Sequence, residues 1–346
     1  MELAEENIRF HVILYGLHAF RPTFGTMPAE YRQQVVDRLH GIDVGIDGHS
    51  LLGHPVNELG PDKAVAAEVA GEMMESYVRH VLIAGEDGQP AGIASMRDLL
   101  AIIVEMIVNW HRGTGFYRSN DAINSISAGM LDTTLGYFTK FLPLLAWGFV
   151  LQNLALIDMP LGWFDASPRG IALWVTAAVA WDFCYYWFHR FSHEISVLWA
   201  AHAVHHQSEE YNLSTALRQT STGFLFGWIF YIPLFILGFP LEVVLTVSAA
   251  NLLYQFWVHT RLIGRLGPLE AVMMTPSHHR VHHAQNERYI DKNYGGMFIV
   301  WDRLFGSYEP ERDDEPVVFG VRKPLANWNP FWANLQVYDY LLFDAR

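Results

Sequence analysis

Gln219–Leu241, QTSTGFLFGWIFYIPLFILGFPL, runs for 23 residues without a charged side chain. Phe, Trp, Ile and Leu dominate it, and a bilayer core of about 30 Å is crossed by roughly 20 apolar residues of helix. Three neighbouring stretches read the same way. Phe141–Ile157 is uncharged between Lys140 and Asp158, Ile171–Phe188 carries one acid, Asp182, and Val243–Val258 carries none. A buried soluble helix accounts for one such run, but four in close succession predict membrane-embedded helices. Leu237-Gly238-Phe239-Pro240 breaks the chain between the third and fourth. Asp158–Gly170, with two prolines and two glycines, turns it between the first and second. Two hairpins follow, so the chain after Phe188 and the chain after Val258 emerge on one side. Leu99–Trp110 is short and holds Glu105, which predicts a non-spanning or re-entrant segment. Met1–Asn7 has three glutamates where a secretory signal would be basic.

Composition sets the outer limits. Charged residues make up 17% of the 346 and hydrophobic ones 51%. Ordinary soluble domains hold about a quarter charged residues, so a disordered chain and a coiled coil are excluded. A net charge of −13 argues against binding nucleic acid through phosphates. The lone Cys184 excludes an internal disulfide and any Cys-based zinc or iron–sulfur site. Lys140, Arg190, Arg218, Arg261, Arg265 and Arg280 lie near the helix ends on the side reached after each hairpin. Arg169 stands opposite among Asp158, Asp165 and Glu242. By the positive-inside rule the first side faces the cytoplasm.

Ten of the 17 histidines lie between residues 189 and 283, all on that side. His189 and His193 (HRFSH) follow the second span, then His202, His205 and His206 (HAVHH). His259 closes the fourth span, and His278, His279, His282 and His283 (HHRVHH) come next. Spacings of three and four share a helical face, so all three imidazoles of HAVHH are expected to point one way. Neutral imidazole suits iron, zinc or copper, and nine ligands exceed one ion's needs, which predicts two metals. Asp182, seven residues before His189, is expected to orient that ring or to accept a hydrogen bond there. Glu194 reads as a ligand, a neighbour of the ligands or a solvated surface group. His11, His18, His40, His49, His54, His80 and His111 share no spacing and read as structural or surface residues. A nitrogen-rich two-metal site at a membrane surface suggests oxygen activation on a lipid, while zinc hydrolysis stays open on residue chemistry alone.

HRFSHE, WAAHAVHHQSEEYNLSTALRQ, NLLYQFWVHT and LGPLEAVMMTPSHHRVHHAQNERYIDKNYGGMFIVWDRLFGSYEPE resemble the fatty acid hydroxylase/sterol desaturase superfamily. Within it they resemble most the branch that acts on alkylglycerols. The resemblance runs from about Tyr117 to about Pro324. It implies an integral-membrane enzyme with two Fe2+ ions and O2 as oxidant. The implied ligands are His189 and His193, then His202, His205 and His206, then His259, then His279, His282 and His283. Superfamily members often carry a further histidine where this chain has Gln255, and His278 is extra to the pattern. The implied reaction hydroxylates the ether-linked carbon of an alkylglycerol, giving fatty aldehyde and glycerol or its lysophospholipid counterpart. Tetrahydrobiopterin or another reductant supplies electrons. Tyr211, Asn212, Asn286, Asp291, Asn293 and Tyr294 sit in the matching strings. They position substrate or cofactor, with Asn286 the leading candidate beside Asp182 and Glu194, or else serve caps and turns. A sterol or fatty-acyl hydroxylase or desaturase fed by a redox partner is the alternative. A membrane protein that binds metal without redox chemistry is the alternative of another class.

Residues 1–92 differ in kind. Around a GEDGQP turn, HVLIAG and AGIAS read as short strands, and VRHVLIAGEDGQPAGIASMRDLLA resembles the second half of a single CBS motif, a module that pairs to bind adenine nucleotides, which implies weak adenine-nucleotide binding. Relatives from animals continue past Arg346 with further membrane helices. Here NWNPFWANLQVYDYLLF is expected at the membrane interface, and Glu309–Glu315 as a solvated connector. The predicted fold is mainly α. It is an integral-membrane bundle of two hairpins and about four spans (93–346), with a cytosolic His-rich helical cap and a small N-terminal α/β appendage (1–92).

Overall fold

The computed structural model describes the backbone of residues 90–344 and of four short strands before them, with side chains from 98 to 343. Two compact units share the chain, Met1–Ile107 and Val108–Arg346, with the dividing line inside helix α1 (Met96–Arg112). In the first unit β1 (His11–Ile13), β4 (His80–Ala84) and β5 (Pro90–Ser95) form an antiparallel sheet in the order β1-β4-β5. His80 sits opposite Ser95, so HVLIAG and AGIAS are the paired strands β4 and β5. β2 (Gly45–Ile46) and β3 (His49–Ser50) make a second small pair. The turn between β4 and β5, on which the nucleotide reading depends, lies outside the described residues.

The second unit is helical. α2 (Ser119–Thr139) and α3 (Phe141–Leu154) meet at Lys140 with a 50° bend. α4 (Pro168–Glu194) is 27 residues long. Ser167 starts it by accepting from the Gly170 amide, and Pro168 takes the first turn, where no donor is needed. α5 (Ser196–His206) and α6 (Leu213–Ala216) follow, then α7 (Ile232–Leu237) and α8 (Leu241–Val258). α9 (Pro276–His282), α10 (Val300–Phe305) and α11 (Pro330–Asp339) complete the unit.

Among the described residues, two helices, α4 and α8, are long and apolar enough to cross a membrane, and the bent pair α2–α3 makes a third if it counts as one span. Helices of this length and apolarity account for two or three of the four expected spans. Gln219–Leu241 is not one helix. Gly223, Gly227 and Pro233 divide it into two 3-10 turns and the six-residue α7. Its continuous part, Gly227–Leu237, rises roughly 17 Å, about half a bilayer core. α1 also falls short of a span, as expected for Leu99–Trp110.

The bundle core lies among α3, α4, α7 and α8, where Val150, Trp181, Leu234, Phe235, Val243 and Val247 are buried. Trp147 stacks on Phe235 at 5.2 Å and Trp181 on Tyr231 at 5.0 Å. The outward faces are apolar too. Leu145 on α3 is 67% exposed and Leu253 on α8 is 73% exposed. A water-facing bundle does not carry such a band, whereas lipid accepts it. Gly238 closes α7 at φ +95°, and a β-carbon there would sit 1.8 Å from the Ile157 carbonyl oxygen. Beside it the Leu156 amide donates to the Ile236 carbonyl at 2.7 Å, so the ends of α3 and α7 meet. The histidines stand at the other ends of α4 and α8.

Candidate metal centre

α4 does not stop at the edge of its apolar stretch. It continues through HRFSH, so His189 and His193 are fixed one turn apart on a rigid rod. α5 crosses the end of that rod with His202, His205 and His206, α8 ends on His259, and α9 carries His279 and His282, with His283 at its cap. The nine rings form two groups, within each of which the ligating nitrogens lie inside 4.8 Å of one another. The first contains His189, His193, His202, His206 and His282, the second His205, His259, His279 and His283.

HAVHH does not point one way. A helix turns about 100° per residue, so His205 and His206 diverge by that angle. The i, i+4 pair His202/His206 joins the first group and His205 the second. α9 mirrors this arrangement, with His279 and His283 in the second group and His282 in the first.

Backbone carbonyls fix the tautomers. Nδ1–H of His189 donates to the Tyr294 carbonyl (2.8 Å), His205 to Arg218 (2.8 Å), His259 to Gln255 (2.7 Å) and His282 to Lys292 (3.0 Å). A carbonyl only accepts, so each of these rings carries its proton outside and a bare Nε2 inside. His205 Nε2 and His259 Nε2 then face each other at 3.3 Å with no proton between them, and His279 Nε2 lies 3.0 Å from His259 Nε2. In the first group His202 Nε2 lies 3.1 Å from both His189 Nε2 and His206 Nε2. Nε2 of His193, His282 and His283 is buried with no hydrogen-bond partner. Converging lone pairs in a water-poor pocket repel unless a cation lies among them, so the donor set fits metal ions. Neither group includes a carboxylate.

Burial, followed by the neighbouring imidazoles, pushes His202, His206, His279, His282 and His283 well below the usual histidine range. Burial holds His205 down from 6.5 to about 4. The unfolded chain thus takes up protons before the folded one. Stability from these neutral rings is fully present above about pH 6.5 and is lost as pH falls toward 4. Thermal melts of the chelator-stripped protein are expected to fall steadily over that window. A flat melting temperature across it would contradict the arrangement.

Other expected residues land elsewhere. Asp182 is fully buried but does not contact His189. It accepts from the Met297 amide (2.6 Å), the Phe298 amide (3.2 Å), the Asn251 side chain (2.9 Å) and the Trp301 indole (2.9 Å). It anchors the loop whose Tyr294 carbonyl holds His189. Glu194 pairs with Arg190 at 2.8 Å and belongs to neither group. Asn286 ties the chain to the Pro316 carbonyl and the Val318 amide, a structural link on the surface. Gln255 accepts from the Tyr185 hydroxyl at 2.7 Å. Tyr211 donates to the Val258 carbonyl and Asn212 caps α6. His278 stands against the Tyr308 ring, outside both groups.

Two arginines counted as membrane flanks are buried. Arg218 donates to the Val204 carbonyl, Asn124 and Gln207 behind α5, and Arg280 grips Glu311 with two nitrogens at 2.8 and 2.7 Å. Sequence reasoning also missed Asp302, which is buried and accepts from the Tyr294 and Gly295 amides. The outer partners are mostly backbone carbonyls, which no residue type announces.

A cleft of about 650 Å³ opens onto His193, His206, His282 and His283, reaching both groups. Trp199, Ala203, Val337 and Leu341 give it apolar walls, with Arg322 and Lys323 at its border.

Residues 174–307, which hold all nine histidines, match the family model described as fatty acid hydroxylase. The chain is similar to the alkylglycerol monooxygenase of Danio rerio, 43% identical over 241 residues (69% of this chain, 52% of that protein). It is also similar to that of Homo sapiens, 44% identical over 230 residues (66% and 49%). The ornithine lipid hydroxylase OlsE of Rhizobium tropici is 32% identical over 154 residues (42% and 44%). The chain spans about half the length of the curated relatives it matches first. No solved structure matches it.

Proposed function

We propose, with the fatty acid hydroxylase domain of residues 174–307 as the premise, that this chain is a membrane di-iron monooxygenase that cleaves alkylglycerols. The observation that carries the reading is the pair of all-histidine groups, five and four, side by side and facing one cleft. Each group would hold one iron, and the irons would supply the activation of dioxygen. Imidazole nitrogen suits iron among other metals, and the match of residues 174–307 to the fatty acid hydroxylase model favours iron.

The protein's own part is binding and orientation. The alkyl chain lies along Trp199, Val337 and Leu341, with the glycerol end toward Arg322 and Lys323, which brings the ether-linked carbon to the histidine face. Hydroxylation there places one oxygen atom of O2 in the C–H bond. The other leaves as water, taking two electrons from a reductant, a reduced pterin or a redox protein, and two protons from that reductant or from solvent. The resulting hemiacetal collapses to fatty aldehyde and glycerol, or to the lysophospholipid counterpart. Arg190, Arg261 and Arg265 at the histidine ends of the helices support a cytoplasmic site.

The test is fatty aldehyde formation by the iron-loaded protein given alkylglycerol, O2 and reduced pterin, with a sterol and a free fatty acid as competing substrates. Oxidation of either competitor in place of the ether lipid would overturn the substrate assignment. In sealed inverted vesicles, a membrane-impermeant chelator is expected to stop the reaction.

A further inference from the structure

Asp291-Lys292-Asn293-Tyr294 holds three of the five histidines of the first group. His193 Nδ1 lies 3.4 Å from the Asp291 carboxylate, His282 Nδ1 donates to the Lys292 carbonyl, and His189 Nδ1 to the Tyr294 carbonyl. These rings come from α4 and α9, so one four-residue segment sets rings on two helices. Its backbone explains how. Asp291 and Asn293 both have φ of +57°, a left-handed conformation uncommon outside glycine, in which Asp and Asn are the best tolerated side chains. Alternating the hand of successive residues turns their polar groups toward different rings.

The segment is itself held firmly. The Asn293 side chain donates to the Glu309 carbonyl (2.8 Å) and accepts from the Glu309 amide (2.9 Å), while Asp302 takes the Tyr294 and Gly295 amides. Within the segment, Asp291 alone offers a negative charge, and Lys292 meets the cluster only through its backbone carbonyl. It lines the cleft with its carboxylate half-exposed, whereas His193 is buried.

We infer that Asp291 is a positioning residue that fixes the tautomer of His193 and raises its donor strength toward a metal held by the first group. A carboxylate behind an imidazole does both, because it accepts the outer proton and adds electron density to the ring. The inference rests on the metal reading above. Asn and Gly both suit φ +57°, so Asp291→Asn and Asp291→Gly leave the turn intact. Asn keeps an acceptor and loses the charge, and Gly loses both.

The test titrates cobalt(II) into the detergent-solubilised full chain against a competing chelator and records the cobalt d–d spectrum. The wild type is expected to take up two ions. Asp291→Asn should bind about 10-fold more weakly with a shifted spectrum, and Asp291→Gly up to about 100-fold more weakly. The metal-free melting temperatures of the three proteins should agree. Wild-type affinity and spectrum in both variants would overturn this inference and leave the metal reading standing. A wild-type chain that binds no cobalt would overturn the metal reading itself.

Discussion

Replacing His205 with alanine is expected to abolish fatty aldehyde formation and to release one of the two metal ions. His205 belongs to the smaller group, which has four rings and no fifth to compensate. Its Nδ1–H is fixed on the Arg218 carbonyl, and its bare Nε2 faces His259 Nε2 at 3.3 Å. Loss of an outer-shell partner typically weakens a metal site 10- to 100-fold, so loss of a ligand in a four-ring set should cost more than about 100-fold. His205 is buried in the last turn of α5, and alanine there removes a ring without adding a charge or breaking the helix. The fold should persist, which separates this variant from one that merely unfolds. Metal content per chain and aldehyde yield are the two readouts. Undiminished product from this variant would sink the ligand assignment.

Asp182→Ala is expected to act on the fold first. The carboxylate takes four donors, from Asn251 on α8, from the Met297 and Phe298 amides and from the Trp301 indole. Alanine leaves all four unpaired in apolar surroundings, at roughly 1–3 kcal/mol for each buried group without relaxation. After partial relaxation the loss should be about 3 kcal/mol, which lowers the melting temperature by roughly 10 °C in a unit of this size. Nothing can shift in to fill the gap cheaply, because Gly296 already packs there. A β-carbon on Gly296 would meet Asp182 Oδ1 at 2.6 Å and the Asn251 amide at 2.9 Å. The loop also carries Tyr294, so metal retention should fall along with stability. Asp182→Asn should cost less, since it still accepts on one side while forcing an NH2 group against two donors. An alanine variant with an unchanged melting temperature would show that the loop is held elsewhere.

The nine histidines were legible because spacings of three and four on helices are visible in a string of letters. Their division into five and four was not. It depends on α5 and α9 each showing two faces, and on the crossing of α5 over α4. Asp182 stood out as an acid in an apolar stretch, but its partners are backbone amides more than a hundred residues away. The segment Gln219–Leu241 misled because hydropathy counts residues, while Gly223, Gly227 and Pro233 decide whether they form one rod. Arg218 and Arg280 misled for the opposite reason. A positive charge near a helix end reads as a membrane flank, and its burial against Gln207 or Glu311 comes only from the fold.

The divided boxes would couple two ions, one in each group. α5 and α9 each lend rings to both groups, so an ion in one group freezes the rotation and fraying of both short helices. The ordering cost of the second group is then already met, and the second ion binds a preformed set. Linkage makes this reciprocal, whichever group fills first. Ions bound in both groups would therefore be coupled, each lowering the ordering cost of the other without making either one depend wholly on it.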